Sequence, residues 1–273
     1  MKAIEEVFQV DKAIIGMVHL PPLPGSPSYR GDDVNDIIDK ALRDARALRD
    51  GGVDGLLIEN FWDMPYRKSS VEPSTIASMA VIAREVAMDT GLPVGINVLR
   101  NDALASLAIA KAVGGKFIRV NVYVEVIITD QGLIEPCAHQ LQLAKKLYHA
   151  DNIKIFADVN VKHGTPLAPR PIDEVAEEAA TRGLADAVIL TGHKTGEPPS
   201  IGDLAKVRER LPNTSLIIGS GCTSENVHEL FKYADAAIVG SYFKEKGLAS
   251  PVSKEKVERF MSKVKELRGK LRS

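Results

Sequence analysis

The sequence predicts a single (β/α)8 TIM barrel, and three observations predict it. Apolar runs of strand length alternate with stretches of helical periodicity eight times along the chain. The segments GGVDGLLI, RGLADAVIL and KYADAAIV each set an aspartate between a helix and the next apolar run, an echo expected at the amino-terminal, stabilising face of a repeated unit. No composition shift or linker divides the 273 residues, so one domain, 1–273, uses the whole length. An open doubly wound sheet is the alternative, but it has no need of eight units.

Residues 2–10 form a short helix that closes the base of the barrel, and the run 13–20 (AIIGMVHL) is the first strand, stopped by Pro21-Pro22. The loop PPLPGSPSYRGD is held near extended geometry by its prolines. Behind Asp33 as N-cap, Ile37, Ile38, Ala41, Leu42, Ala45 and Leu48 recur at helical spacing until Gly51-Gly52 ends the helix. Residues 54–60 are the second strand. The loop after it, FWDMPYRKSSVEP, carries the sole tryptophan, Trp62, which reads either as part of a lid or as packing over the barrel mouth.

Helix 73–90, strand 92–99, helix 102–113 and strand 116–121 follow in regular order. Residues 122–134 break the rhythm with a turn at Asp130-Gln131-Gly132 and read as a hairpin before helix 136–150. Strand 153–161, helix 171–182, strand 185–191 and helix 200–210 come next, the last with Ser200 and Asp203 as a capping box. Val257, Phe260, Met261, Val264, Leu267 and Leu271 give the final helix its apolar stripe.

Between them, residues 214–244 (TSLIIGSGCTSENVHELFKYADAAIVGSYFK) hold the seventh and eighth strands, each emptying into a Gly-Ser corner. Thr223 or Ser224 is the expected N-cap of a helix of about two turns between them. Bare backbone N–H groups at Gly219, Ser220, Gly221, Gly240 and Ser241, with no Cβ at the glycines, would cradle a phosphate, as the corresponding loops of such barrels do. The plainer reading is that these glycines allow tight turns.

The reacting groups of such a barrel stand at the carboxyl ends of its strands. There the chain places His19, Glu59, Asn60, Asn97, Arg119, Asn121, Asp158, Asn160, Lys162, His163, Thr191, His193 and Lys194. Polar residues inside apolar runs must find hydrogen bonds or cost free energy, and a ligand is an economical partner. Asp158, Lys162, His19 and Glu59 are the candidates for chemistry, with Asn97, Arg119, Asn121, Asn160 and Thr191 as substrate contacts. Asp158, Asn160 and Lys162 share one face of an extended strand. Lys162 is then a Schiff-base nucleophile served by Asp158, or it pairs with Asp158 or binds phosphate as a point charge. A metal would need His19, Glu59, Asp158 and His193 to converge, and no HxH or HExxH spacing supports one, so neither metal nor cofactor is expected.

Composition excludes several classes. With 35 Lys and Arg against 36 Asp and Glu, the net charge is -1, which argues against general nucleic-acid binding. Cys137 and Cys222 lie far apart and in no CxxC pattern, which suits a reducing cytoplasm, and Cys222 beside the cradle reads as a packing residue. The amino terminus is acidic and amphipathic, unlike a signal peptide, and no run of 18 apolar residues would span a membrane. Self-association and peripheral membrane contact are both compatible with these features.

The strings MVHLPPLPGSP at 17–27, FADVNVKHGTPL at 156–167, LTGHKTGEPPS at 190–200, and IIGSGCTSEN with ADAAIVGSYFK resemble the BtpA family, in family order and over residues 12–250. The resemblance implies an aldolase-type barrel of the ribulose-phosphate-binding group. It also implies a link, in phototrophs, to photosystem I biogenesis. It carries over no catalytic residues. Two functions are expected on these grounds: an enzyme acting on a phosphorylated sugar or nucleoside derivative by isomerase, aldolase or lyase chemistry, or a non-catalytic assembly factor for a membrane complex.

Overall fold

The computed structural model describes residues 2–192, 194 and 196–272, without the side chains of 271 and 272. His193, considered above for the mouth, and the Leu271 side chain lie outside the described residues. Eight parallel strands close into a barrel: β1 (Ala13–His19), β2 (Gly55–Glu59), β3 (Val94–Asn97), β4 (Phe117–Val120), β7 (Lys154–Asp158), β9 (Ala187–Leu190), β10 (Ser215–Ile218) and β11 (Ala236–Val239), which pairs back onto β1. The remaining short strands, β5 (Ile127–Thr129), β6 (Gly132–Ile134) and β8 (Gly164–Pro166), form a separate antiparallel sheet in the order β6, β5, β8.

Around the barrel run α2 (Val34–Gly51), α3 (Pro73–Thr90), α4 (Ala103–Val113), α5 (Ala138–Leu147), α6 (Ile172–Thr181), α7 (Ile201–Arg210), α8 (Val227–Leu230) and α9 (Lys254–Arg272). Local chemistry starts and stops them as read from the sequence. The Asp33 carboxylate accepts the Asn35 amide at 2.8 Å, Ser200 Oγ accepts the Asp203 amide at 3.0 Å, and Gly52 ends α2 with φ 94°.

Inside the barrel Ile15, Met17, Leu57, Phe117, Phe156, Ile189 and Ile217 fill the axis. The preceding helix α1 (Ala3–Phe8) plugs the base: Phe8 meets Phe117 edge-on at 5.6 Å, and Phe117 stacks on Phe156 at 4.7 Å. A second apolar layer lies between the strands and the helix ring. Both layers are those expected when every strand is buried on two faces.

The repeated aspartates prove to be one device used three times. Asp54, Asp186 and Asp235 each donate a backbone N–H to the neighbouring strand (Ile14, Ile155, Leu216) and accept that same residue's amide on the carboxylate, at 2.7, 2.8 and 2.8 Å. A cation completes each: Arg268 for Asp54, Lys154 for Asp186, and Lys2 with Arg208 for Asp235. Burial opposes the Asp235 charge, but Lys2, the Leu216 amide and Arg208 outweigh it and hold the carboxyl below its ordinary value of 3.8. Its stabilisation is therefore complete above about pH 4 and is lost in acid as the folded form protonates. Asp235→Asn is expected to cost about 2 kcal/mol in urea unfolding at pH 7, a deficit that shrinks below pH 4.

Three expectations need correction. The fifth barrel strand ends at Asp158, not 161, because the chain then leaves the barrel to add β8 to the hairpin, pairing Ile128 with Thr165. Asn160 and Lys162 are thus loop residues, and period-two alternation does not aim them with Asp158. The helix after β10 is a single turn with Asn226, not Thr223 or Ser224, at its N-cap position and no side-chain cap bond there, while Thr223 Oγ1 accepts the Glu225 amide in the turn ahead of it. Asn226 Oδ1 accepts the Thr223 amide and its Nδ2 donates to the Gly221 carbonyl, which uses up the intervening residues as a turn.

Candidate active site

At the carboxyl end of the barrel lie two cavities, of about 290 and 460 Å³, that share Glu59, Phe61, Arg119 and Lys162 as a common wall. They form one bilobed mouth, with the shared residues between the lobes.

The first lobe is built from both Gly-Ser corners, with His19, Gly196 and Tyr242 around them. Not all five corner residues offer an amide. Gly219 N–H donates to the Leu190 carbonyl at 2.7 Å, so Gly219 serves the turn. The Ser220 hydroxyl is also committed, donating to the Glu197 carbonyl at 2.6 Å and accepting the Gly192 amide at 3.2 Å. The backbone N–H groups of Ser220, Gly221, Gly240 and Ser241 meet no acceptor among the described residues. Gly221 has φ +68°, and a Cβ there would lie 2.1 Å from the Pro198 nitrogen, so both conformation and space require glycine. At Gly240 an added Cβ would stand 3.1 Å from His19 Cε1, at the wall of the lobe.

His19 ends β1 inside this lobe, its ring 4.5 Å from that of Phe61. Burial, with Lys244, Lys162 and Arg119 nearby, drops its pKa to about 3, so the imidazole is neutral at working pH. Its Nδ1 is buried and has no hydrogen-bond partner among the described residues. Phe61, and not Trp62, faces both lobes; Trp62 packs edge-on against Phe61 at 5.1 Å.

Between the lobes sits a charged cluster. Arg119 on β4 and Asp158 on β7 form a buried ion pair, Nη2 to Oδ2 3.1 Å, with side chains 6% and 0% exposed. Asn121 Nδ2 donates to the same Oδ2 at 2.8 Å. Burial works against the Arg119 charge, but Asp158 and Glu59 outweigh it and raise its pKa. Asp158 is thereby occupied by Arg119 and not by Lys162.

Lys162 reaches no hydrogen-bond or salt-bridge partner among the described residues, although its loop is pinned by Arg100 Nη2 donating to the Lys162 carbonyl at 2.6 Å. Burial, aided by repulsion from Arg119, lowers its pKa to about 8. Glu59, which accepts a hydrogen bond from Asn97 Nδ2, is shifted the other way, upward, by burial. Asn97 itself sits behind Glu59 and lines neither lobe.

Asn160 and Thr191, expected as substrate contacts, are spent on each other. The Asn160 amide side chain brackets the Thr191 backbone at 2.6 and 3.0 Å, and the Thr191 hydroxyl returns to the Asn160 carbonyl at 2.7 Å. Cys222 is buried with its thiol pushed up to about 12, which leaves it inert. Among the described residues no group of three or more His, Cys, Asp or Glu could hold a metal ion.

The second lobe adds residues that the strand-end rule passed over: Met64, Tyr66, Leu99, Arg100 and Asp130. They lie in loops, where periodicity carries no signal. Arg100, three residues beyond β3 and only 5% exposed, stands in the same post-strand zone as the other candidates, and that position is the one cue that would have found it.

Known proteins bear on this architecture in two ways. A protein of Pyrococcus furiosus described as N-(5'-phosphoribosyl)anthranilate isomerase superposes with a TM-score of 0.57 at 14% identity, covering 93% of this chain and 99% of its own, which shows a shared barrel fold. In sequence, an uncharacterised protein of Thermococcus kodakarensis is 44% identical over 94% of this chain and 97% of its own length. The photosystem I biogenesis protein BtpA of Synechocystis is 43% identical over 89% of this chain and 84% of its own. The BtpA family profile matches residues 10–266. By that match, and by identity sustained over nearly all of its length, the chain belongs to the BtpA family.

Proposed function

We propose that the protein is an enzyme acting on a phosphorylated small molecule at the bilobed mouth. One observation carries this reading: two corners from adjacent strands open into one lobe with four amides that meet no acceptor among the described residues, next to Lys162 and Glu59. The amides of Ser220, Gly221, Gly240 and Ser241 hold the phosphate, helped by the cationic form of Lys162 and by His19 Nδ1–H. Glu59 and Lys162 form the proton-transfer pair, since the environment moves an acid up and a base down toward the same range. At pH 7 about a tenth of Lys162 is the free amine. An acid and a base on either side of a bound carbonyl suit enolisation, and through it isomerase, aldolase or lyase chemistry. Asp158 holds Arg119 in place and transfers no proton.

Thermal unfolding with inorganic phosphate and with ribose 5-phosphate tests the cradle. Ligand at a hundredfold excess over Kd adds about 2.7 kcal/mol of stability. Gly240→Val, whose side chain enters the lobe beside His19, is expected to fold at a cost of about 1–3 kcal/mol and to lose this stabilisation. Equal stabilisation of the variant, or none of the parent, refutes the reading.

A second reading, a docking factor for a membrane complex, draws on a different feature. Ile128 and Leu133 pair across β5 and β6 with their side chains outward, 46% and 47% exposed, and Leu167 beyond β8 is 56% exposed. No helix of the described residues is long and apolar enough to cross a membrane. This reading gains if no phosphate compound stabilises the protein and if Ile128→Ser/Leu133→Ser abolishes co-sedimentation with membranes.

A further inference from the structure

Asn121, in the wall of the second lobe, carries a buried polar atom with no hydrogen-bond partner among the described residues. Asn121 is 6% exposed, and its Nδ2 faces Asp158 Oδ2 at 2.8 Å. A carboxylate bound to Arg119 is an acceptor, so the amide orientation is set: nitrogen toward Asp158, oxygen away from it. That Oδ1 is buried with no donor among the described residues. An orphaned acceptor of this kind costs about 1–3 kcal/mol unless a ligand supplies an N–H or O–H.

The neighbours narrow what the ligand is. Arg119 Nε and Nη2 are already spent on Asp158, and the Tyr66 hydroxyl donates to the Phe61 carbonyl. Phe61, Met64, Leu99 and Val161 give the lobe apolar stretches between its charged residues, Glu59, Arg100, Asp130 and Lys162 among them. A bare sugar would bond those charged groups but leave the apolar stretches without a partner. A flat ring with apolar faces and a hydrogen-bond donor on one edge satisfies both walls and acceptor.

We propose that the second lobe takes a nucleobase, read by Asn121 Oδ1, and that the ligand of the whole mouth is a nucleoside 5′-monophosphate. This rests on the phosphate lobe proposed above and extends it to the ligand's other end. Because Glu59, Arg119 and Lys162 border both lobes, the ribose joining phosphate and base passes directly beneath the proton-transfer pair. Asn121 is thus a specificity residue, and the chemistry falls on the sugar and its bond to the base.

Calorimetry on the full chain separates the possibilities, using inorganic phosphate, ribose 5-phosphate, AMP, IMP and purine riboside 5′-monophosphate, which keeps the ring but lacks the edge donor. AMP or IMP is expected to bind at least about tenfold more tightly than ribose 5-phosphate, and purine riboside 5′-monophosphate to lose about tenfold against them. Asn121→Ala should bring AMP and IMP down to that level and leave ribose 5-phosphate unchanged. Equal affinity of ribose 5-phosphate and the nucleotides overturns the nucleobase assignment and leaves the phosphate lobe standing. So does equal affinity of all three nucleotides. Failure of every compound, inorganic phosphate included, overturns both. The ligand series on the parent protein decides the matter even if Asn121→Ala does not fold.

Discussion

Asp158→Asn is expected to destabilise the protein by about 3–5 kcal/mol, the usual cost of leaving one member of a buried ion pair without its partner. Asparagine keeps the shape and can still accept a hydrogen bond, so the loss reports charge and not packing. Arg119 is 6% exposed at the side chain and donates to Asp158 through both Nη2 and Nε, the latter shared between the two carboxylate oxygens. Removal of the carboxylate leaves a cation far from water, close to the cation of Lys162. Urea unfolding at pH 7 measures the deficit. The double variant Arg119→Met/Asp158→Leu is expected to recover most of it, since apolar groups of similar volume replace buried pairs at little cost. A loss under about 1 kcal/mol in the single variant would mean that Glu59 alone neutralises Arg119.

Lys162→Met is expected to move stability and binding in opposite directions. The folded protein holds this lysine at a pKa of about 8 against an ordinary value of 10.5, so folding works against its proton. Below pH 8 both folded and unfolded forms are protonated and the penalty is complete; it fades as pH rises from 8 toward 10.5. Methionine, of similar length and no charge, should therefore stabilise the fold by about 2 kcal/mol at pH 7, with most of that gain gone by pH 10. The same change removes a half-buried cation from the phosphate lobe and should weaken phosphate compounds roughly 30- to 100-fold. Denaturation at the two pH values, with titration of ribose 5-phosphate, measures both. Unchanged affinity would take Lys162 out of the site, whatever happens to stability. A residue that costs stability where it stands and gains ligand affinity is the pattern expected of a functional group.

The barrel was legible in the chain because its signals are local. Apolar periodicity, Gly52 after α2, Ser200 ahead of α7 and the three aspartates each act within a few residues of their own position. The Gly-Ser corners were legible for the same reason: a strand that runs into glycines gives its loop away. The outlying sheet was legible only in part. The turn at Asp130-Gln131 marks the β5–β6 hairpin, but β8 joins it from 30 residues downstream, across the fifth barrel strand.

The family match, the (β/α)8 order and the set of polar residues at the strand ends all follow from the amino-acid order, since each depends on period and spacing. Which of those polar residues are free to act does not. Asp158 meets Arg119, Asn160 meets Thr191 and Asn97 meets Glu59 only once separate strands are brought side by side, and each pairing removes hydrogen bonds that a ligand would otherwise use. Among the described residues, closure of the barrel leaves Lys162, His19 Nδ1, Asn121 Oδ1 and four backbone amides over. Hydrogen-bonding capacity is finite for each group, and how it is divided depends on neighbours far away in the chain.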